Sequence, residues 1–316
     1  MRYEEILSRA FRIAWSRKYL WLLAILAGES TGGGGFNTGV SPFGQPRAGT
    51  VSGGTATTVT TPDLSWVPGW FYDRMGIFIA VAAVLLVIGI VWFLVGCIAT
   101  GGLIRAVADI DAGEDVRLGR AWSLGVASFG RVLGFKLLIA LLIVGPALVL
   151  IGGPILLAVA TQRWLLLVLL IPLVLLVAVW ALAVSLVSAV GIRALVLDRL
   201  GIAGGVGAGV GLLRRRPGRV LAIFGILIGV GFLAGIGIGL VVTVIALPFI
   251  GVGAAMFAAG NFTGLIAVAV IGIVLVFVVS LVVGGAVGSY FSSVWTLAYR
   301  RFELAAGAPP APSLPV

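Results

Sequence analysis

The chain has 316 residues, 61% of them hydrophobic and 10% charged, and a formal net charge of +10. A soluble domain carries roughly a quarter of its residues as charged side chains, so this composition excludes that class and indicates an integral membrane protein. A single cysteine, Cys97, and no histidine leave no disulfide framework, no Cys/His metal cluster and no imidazole base.

Residues 1–18 place Tyr3, Leu7, Phe11 and Ala14 at helical spacing, with Glu4, Glu5, Ser8, Arg9, Arg12 and Ser16 largely on the other side. That is the pattern of an amphipathic helix lying in a membrane interface. The apolar run 19–28 is short for a hydrocarbon core of roughly 30 Å and counts as a span if its helix starts several residues earlier. A cleaved signal peptide is the competing reading, against which stand the two glutamates and the long approach to the apolar run. Residues 29–73, with TGGGG and VSGGTATTVTT, read as an external Gly/Ser/Thr-rich loop. Trp66, Trp70, Phe71 and Tyr72 at its end read as an interfacial aromatic belt.

Uncharged runs follow at 75–104, 137–162, 164–192 and 220–299. The last is too long for one crossing, and the polar patch of Gly260, Asn261 and Thr263 divides it in two. The expected fold is therefore all-α integral membrane with six transmembrane helices in one polytopic domain, 1–304. The Ala/Pro tail 305–316 has the composition of a disordered end.

With the N-terminus inside, 18 of 21 basic residues fall in cytoplasmic segments, and only Arg47, Arg74 and Arg163 fall outside. This is the positive-inside distribution. Eight of the eleven acids share the cytoplasmic side, so that face carries the whole net charge. Its partner is the anionic headgroup layer of the bilayer and not nucleic acid.

Residues 104–133 and 192–221 match without a gap at a spacing of 88. Ten of thirty positions are identical, with Ile-Arg-Ala opening and Gly-Arg-Val-Leu closing each copy, where composition would give roughly three. In the first copy Leu118, Trp122, Val126 and Phe129 form one face and Arg117, Arg120, Ser123 and Arg131 stay polar, which predicts a second interfacial helix. Leu7-Ser-Arg-Ala-Phe11 is loosely like Leu118-Gly-Arg-Ala-Trp122. Three pseudo-repeated units follow, about 1–113, 114–201 and 202–301, each an interfacial helix and a two-span hairpin. All enter from one side, so the symmetry is parallel. In the third unit Gly204, Gly205, Gly207, Gly209 and Gly211 each weaken a helix by about 1 kcal/mol relative to alanine, and a loop or mobile helix is expected. The recurring Arg105/Arg193 and Arg131/Arg219 need only topology to explain them.

No catalytic constellation is found: there is no GxSxG, no HExxH and no Walker A sequence, and the glycine run lacks the spacing of a dinucleotide fingerprint. Asp109-Ile-Asp111 resembles a DxD metal pair but stands alone at a helix end. With Glu114 and Asp115 it balances Arg105, Arg117 and Arg120. No metal, cofactor or catalytic residue is expected, and no charge lies near the membrane midplane, which disfavours an ion-coupled carrier. The candidate contacts for anionic lipid or a protein partner are Arg214, Arg215, Arg216 and Arg219, the densest basic cluster and equally a topogenic stop, together with Arg117 and Arg120. Gly225 and Gly229, then Gly231, Gly235 and Gly239, at helical spacing predict close packing within the chain or, second, a homo-oligomer contact.

The amphipathic N-terminus, a second span closing in Gly102-Leu-Ile-Arg before an acidic turn, and a fourth closing in Arg193-Ala-Leu-Val-Leu-Asp198 before a basic Gly-rich segment resemble a group of bacterial six-span proteins. That group includes the membrane domain of some glycerophosphodiester phosphodiesterases and the YciC-like family. In such phosphodiesterases a separate soluble barrel carries the catalytic acids and histidines, for which this chain has neither room nor residues. The resemblance implies a stand-alone membrane module, and the distribution of basic residues leads to the expectation of a protein of the plasma (inner) membrane with both termini cytoplasmic. Its expected role is a non-enzymatic scaffold, assembly or lipid-interacting protein; the alternative is a small-molecule or lipid permease component.

Overall fold

In a computed structural model, residues 3–28, 74–162 and 168–304 are described, residue 3 and residues 302–304 by backbone alone. The expected external loop with its aromatic belt, Arg47, Arg163 and the Ala/Pro tail lie outside them. Among the described residues every regular element is helical: α1 Tyr3–Ser16, α2 Tyr19–Ala27, α3 Met75–Asp111, α4 Leu118–Ala147, a π-turn Leu148–Gly152, α5 Gly153–Thr161, α6 Leu170–Leu197, α7 Ile202–Arg215, α8 Pro217–Ala258 and α9 Phe262–Leu304.

Five stretches are long and apolar enough to cross a membrane: Met75–Asp111, Leu118–Thr161, Leu170–Leu197, Pro217–Ala258 and Phe262–Arg301. The run 19–28 is not one of them. It forms nine-residue α2, which rises only about 14 Å and stops at Gly28, whose left-handed φ of 75° ends the helix. The division of 220–299 falls where the polar patch placed it. Gly260 turns at φ +70°, and the Asn261 carboxamide caps α9 by accepting the Gly264 N–H at 2.9 Å.

Leu118–Thr161 corrects the expected interfacial helix followed by a separate span, because the two are one continuous helical stretch. Its irregularity lies further along, after Pro146. Proline lacks the N–H that would bond the carbonyl four residues back, at Leu142. The Trp180 indole of α6 donates to that carbonyl at 2.9 Å, and the helix widens into the π-turn directly afterwards.

Two units can be separated by packing, one of Met1–Thr38 with Val95–Val316 and one of Gly39–Leu94. The described part of the smaller unit is the first half of α3, whose side chains from Ile77 to Phe93 are apolar and exposed. In the larger unit the core collects towards one end of the helices. It contains Leu103, Ile104 and Val107 of α3, Ala121, Val132 and Phe135 of α4, Leu195 of α6, and Phe291, Val294, Trp295 and Leu297 of α9. Away from that end, Leu240, Val244, Ile271 and Phe277 among others are exposed apolar residues. A soluble protein would not show such a surface.

In α1 and α4 small residues face the protein interior, and part of the large apolar set of each helix stays outside, as on a helix lying in an interface. On α1 the buried set is Ile6, Ala10, Ile13 and Ala14, while Phe11 is 55% exposed. On α4 it is Ala121, Gly125, Ser128 and Val132, while Leu118 and Val126 are exposed. Close backbone approach decides this. A Cβ at Gly125 would stand 2.2 Å from the Ile98 carbonyl oxygen, and one at Gly102 would stand 2.5 Å from that of Ala121, so only small residues fit between α3 and α4.

The same physics makes α7 a helix despite its glycines. Gly205 and Gly209 are its buried residues. A Cβ at Gly209 would lie 2.5 Å from the Val187 oxygen, and one at Gly191 would lie 2.7 Å from that of Gly205. Packing against α6 outweighs the weak propensity. By contrast Gly225, Gly229, Gly235 and Gly239 have nothing within 4 Å of a built Cβ, and of the expected stripe on α8 only Gly231 faces a neighbour, Phe291 of α9 at 3.4 Å.

Candidate functional site

The functional candidates gather at the packed end, where the ends of α3, α6 and α9 meet the starts of α1, α4 and α7. The last turn of α3 and the turn after it, residues 109–115, carry four acids in seven residues, each of them paired. Asp109 lies 3.6 Å from the Arg105 Nε. Asp111 takes Arg9 at 2.6 Å and Arg300 at 2.8 Å, Glu114 takes Arg120 at 2.8 Å, and Asp115 takes Arg17. Arg301 grips Glu5 with both terminal nitrogens, at 3.0 and 3.2 Å. The acids thus fasten α1 and α9 to the end of α3, a wider role than balancing Arg105, Arg117 and Arg120. Asp109 and Asp111 have different partners, and among the described residues no group of three metal-ligating side chains occurs.

Arg105 and Arg193 correct the topological reading of the recurring arginines, because both are buried, at 8% and 3% exposure. Arg105 Nη1 donates to the Leu197 carbonyl at 3.2 Å. Arg131 Nη1 reaches the Leu195 carbonyl at 3.5 Å. The last turn of a helix leaves carbonyls without partners and carries partial negative charge, so two guanidiniums there complete α6. Arg193 bonds the Ala189 carbonyl and lies 5.9 Å from the centre of the Trp295 ring, a cation–π contact joining α6 to α9. Lys136, within the stretch Leu118–Thr161, donates to Thr100 of α3 at 2.8 Å.

Buried hydroxyls bond back to their own helices: Thr100 to Gly96, Ser293 to Ser289 and Thr296 to Ser292, at 2.7 to 2.8 Å. This is how serine and threonine are accommodated in apolar helices.

Between α3, α4 and the end of α6 lies a cavity of about 400 Å³, lined by Arg105, Leu124, Ala127, Ser128, Arg131, Val196 and Arg199. Three of the seven are arginines. Arg199 is exposed and has φ +55°, a left-handed conformation uncommon outside glycine. Beside it Asp198 accepts the Tyr299 hydroxyl. Burial pushes the Asp198 carboxyl above its ordinary range; the Tyr299 hydrogen bond and the charge of Arg105 act in the opposite direction.

Of the candidate contact residues, Arg117, Arg120, Arg214, Arg215 and Arg219 are exposed and Arg216 is half-buried. Arg214 and Arg215 close α7, where cations suit the helix end. Arg120 is committed to Glu114, whereas Arg117, Arg199, Arg214, Arg215 and Arg219 have no carboxylate partner among the described residues. The cavity residues Arg105, Arg131 and Arg199 were not among the expected sites. Their signal in the sequence was the position 88 residues beyond Asp111, where the second copy replaces a paired acid with Arg199.

No curated protein and no solved structure matches the chain. Over residues 8–299, most of its length, it matches the family of unknown function DUF7544, and it is a member of that family.

Proposed function

We propose that this chain is a non-enzymatic, lipid-interacting module of the plasma membrane, with six crossings and both termini in the cytoplasm, whose basic face engages anionic headgroups. The observation that carries the reading is the unequal charge balance of the packed end. Arginines around the 109–115 turn are matched by carboxylates, while Arg117, Arg199, Arg214, Arg215 and Arg219 are not. Near an anionic bilayer surface each such residue contributes about 1 kcal/mol of attraction.

Ion pairing supports the even number of crossings. Arg9 and Arg300 both hold Asp111, so the start of the chain, the end of α3 and the end of α9 share one side. The excess of arginine there makes that side cytoplasmic. The three-unit repeat draws support from the equivalent burial of Arg105 and Arg193 near the ends of α3 and α6.

The test is reconstitution of the full chain into vesicles of phosphatidylcholine with and without phosphatidylglycerol. Spin-labelled phosphatidylglycerol should be enriched around the protein over labelled phosphatidylcholine, less so at high salt. Equal partition of the two lipids would refute the reading. With Cys97 replaced by alanine, single cysteines at Thr50 and Gly260 should be labelled from outside and one at Ala306 from inside; cytoplasmic labelling at position 260 would overturn the topology.

A further inference from the structure

We propose that the cavity between α3, α4 and the end of α6 is a binding site for one phosphate group, with Arg105, Arg131 and Arg199 as its donors. The proposal rests on the lipid-interacting reading and assigns it a particular site. Arg131 and Arg105 each spend one terminal nitrogen on a carbonyl of α6. Both side chains line the cavity, and the Arg105 Nε faces Asp109 at 3.6 Å.

Arg199 has neither a carboxylate nor a carbonyl partner among the described residues, and as the exposed member of the lining it forms the lip. Guanidinium groups match tetrahedral oxyanions with paired N–H donors, which makes arginine the preferred residue for phosphate. The cavity, about 400 Å³, has room for a phosphate and the glycerol beyond it. Its apolar members, Leu124, Ala127 and Val196, offer no carboxylate to compete with the ligand. The phosphate could be that of a membrane lipid headgroup or a soluble phosphate, since the donors read the shared PO₄ chemistry.

The experiment compares the full chain with Arg199→Gln, Arg131→Gln and a surface control, Arg214→Gln with Arg215→Gln. Arg199→Gln removes a side chain with no bond to the fold, so folding is preserved; thermal melting checks this for each variant. Phosphatidylglycerol retention is read by native mass spectrometry from mixed micelles, and inorganic phosphate binding by calorimetry in detergent. One retained phospholipid or one phosphate should be weakened about tenfold by Arg199→Gln and unaffected by the control.

Lipid retained through Arg199 without competition from millimolar phosphate assigns the site to a headgroup; phosphate bound through Arg199 without lipid retention assigns it to a soluble phosphate. If both cavity variants bind lipid and phosphate like wild type while the surface control loses lipid, the cavity proposal is overturned and the broader reading stands. If no variant changes binding and phosphatidylglycerol is held no better than phosphatidylcholine, both are overturned.

Discussion

Arg300 donates to the Asp111 carboxylate at 2.8 Å across 189 residues of chain, and Arg9 closes on the other oxygen of the same carboxylate at 2.6 Å. One acid therefore holds the first helix, the end of α3 and the end of the last helix together.

Asp111→Asn should accordingly cost more than either arginine. The Asp111 side chain is 17% exposed and Arg300 29%, against 49% for Arg9. Removing the shared acid leaves two cations facing each other and should destabilise by about 1–3 kcal/mol, while Arg9→Gln should cost less than about 1 kcal/mol. Melting of the full chain in detergent measures both. Equal effects would show that the shared carboxylate is not the fastening point.

The carbonyl freed by Pro146 gives a test with an internal rescue. Trp180→Phe removes the indole that bonds Leu142 and should cost about 1 kcal/mol. Adding Pro146→Ala restores an N–H able to take that carbonyl, so Trp180→Phe should cost much less in a Pro146→Ala background. A double-mutant cycle with no coupling would mean that the indole bond and the proline are unrelated.

Glycine positions separate sharply. Gly125→Ala places a methyl 2.2 Å from the Ile98 oxygen and Gly209→Ala places one 2.5 Å from that of Val187; both oppose backbone, which cannot step aside. Each should destabilise by about 2 kcal/mol or more. Gly225→Ala meets open space and should stabilise by up to about 1 kcal/mol through helix propensity. A destabilising Gly225→Ala in the assembled protein would instead reveal a second helix against that face.

The pH dependence follows from Asp198. Its carboxyl binds a proton more tightly in the folded protein than its ordinary value of 3.8, because burial disfavours the charge. Its contribution to stability is therefore complete below that ordinary value and is lost as pH rises through the raised one. Asp198→Asn keeps an acceptor for the Tyr299 hydroxyl and cannot ionise. Relative to wild type it should gain melting temperature as pH rises above about 4, and with one negative charge fewer beside Arg105 it should bind phosphate more tightly. A pH profile parallel to wild type would exclude this role.

The membrane class, the helix boundary at Gly260 and the convergence of charge at one end were all legible from apolar runs and basic residues, which are composition signals that tertiary packing does not alter. The small-residue faces of α1 and α4 that pack inside the protein were not. Helical-wheel reasoning finds the large apolar stripe of an interfacial helix, but not the face through which Gly125 and Gly102 bring two backbones together. The cavity was hidden for a related reason. Arg105, Arg131 and Arg199 are separated in sequence and become neighbours only through the approach of α6 to α3 and α4.

The contact between Arg105 and the Leu197 carbonyl spans 92 residues, so the end of α3 cannot reach its final packing until α6 has been made. A chain cut before Leu197 leaves the Arg105 guanidinium without that acceptor. The packing of an early helix is thus completed by the end of one made much later.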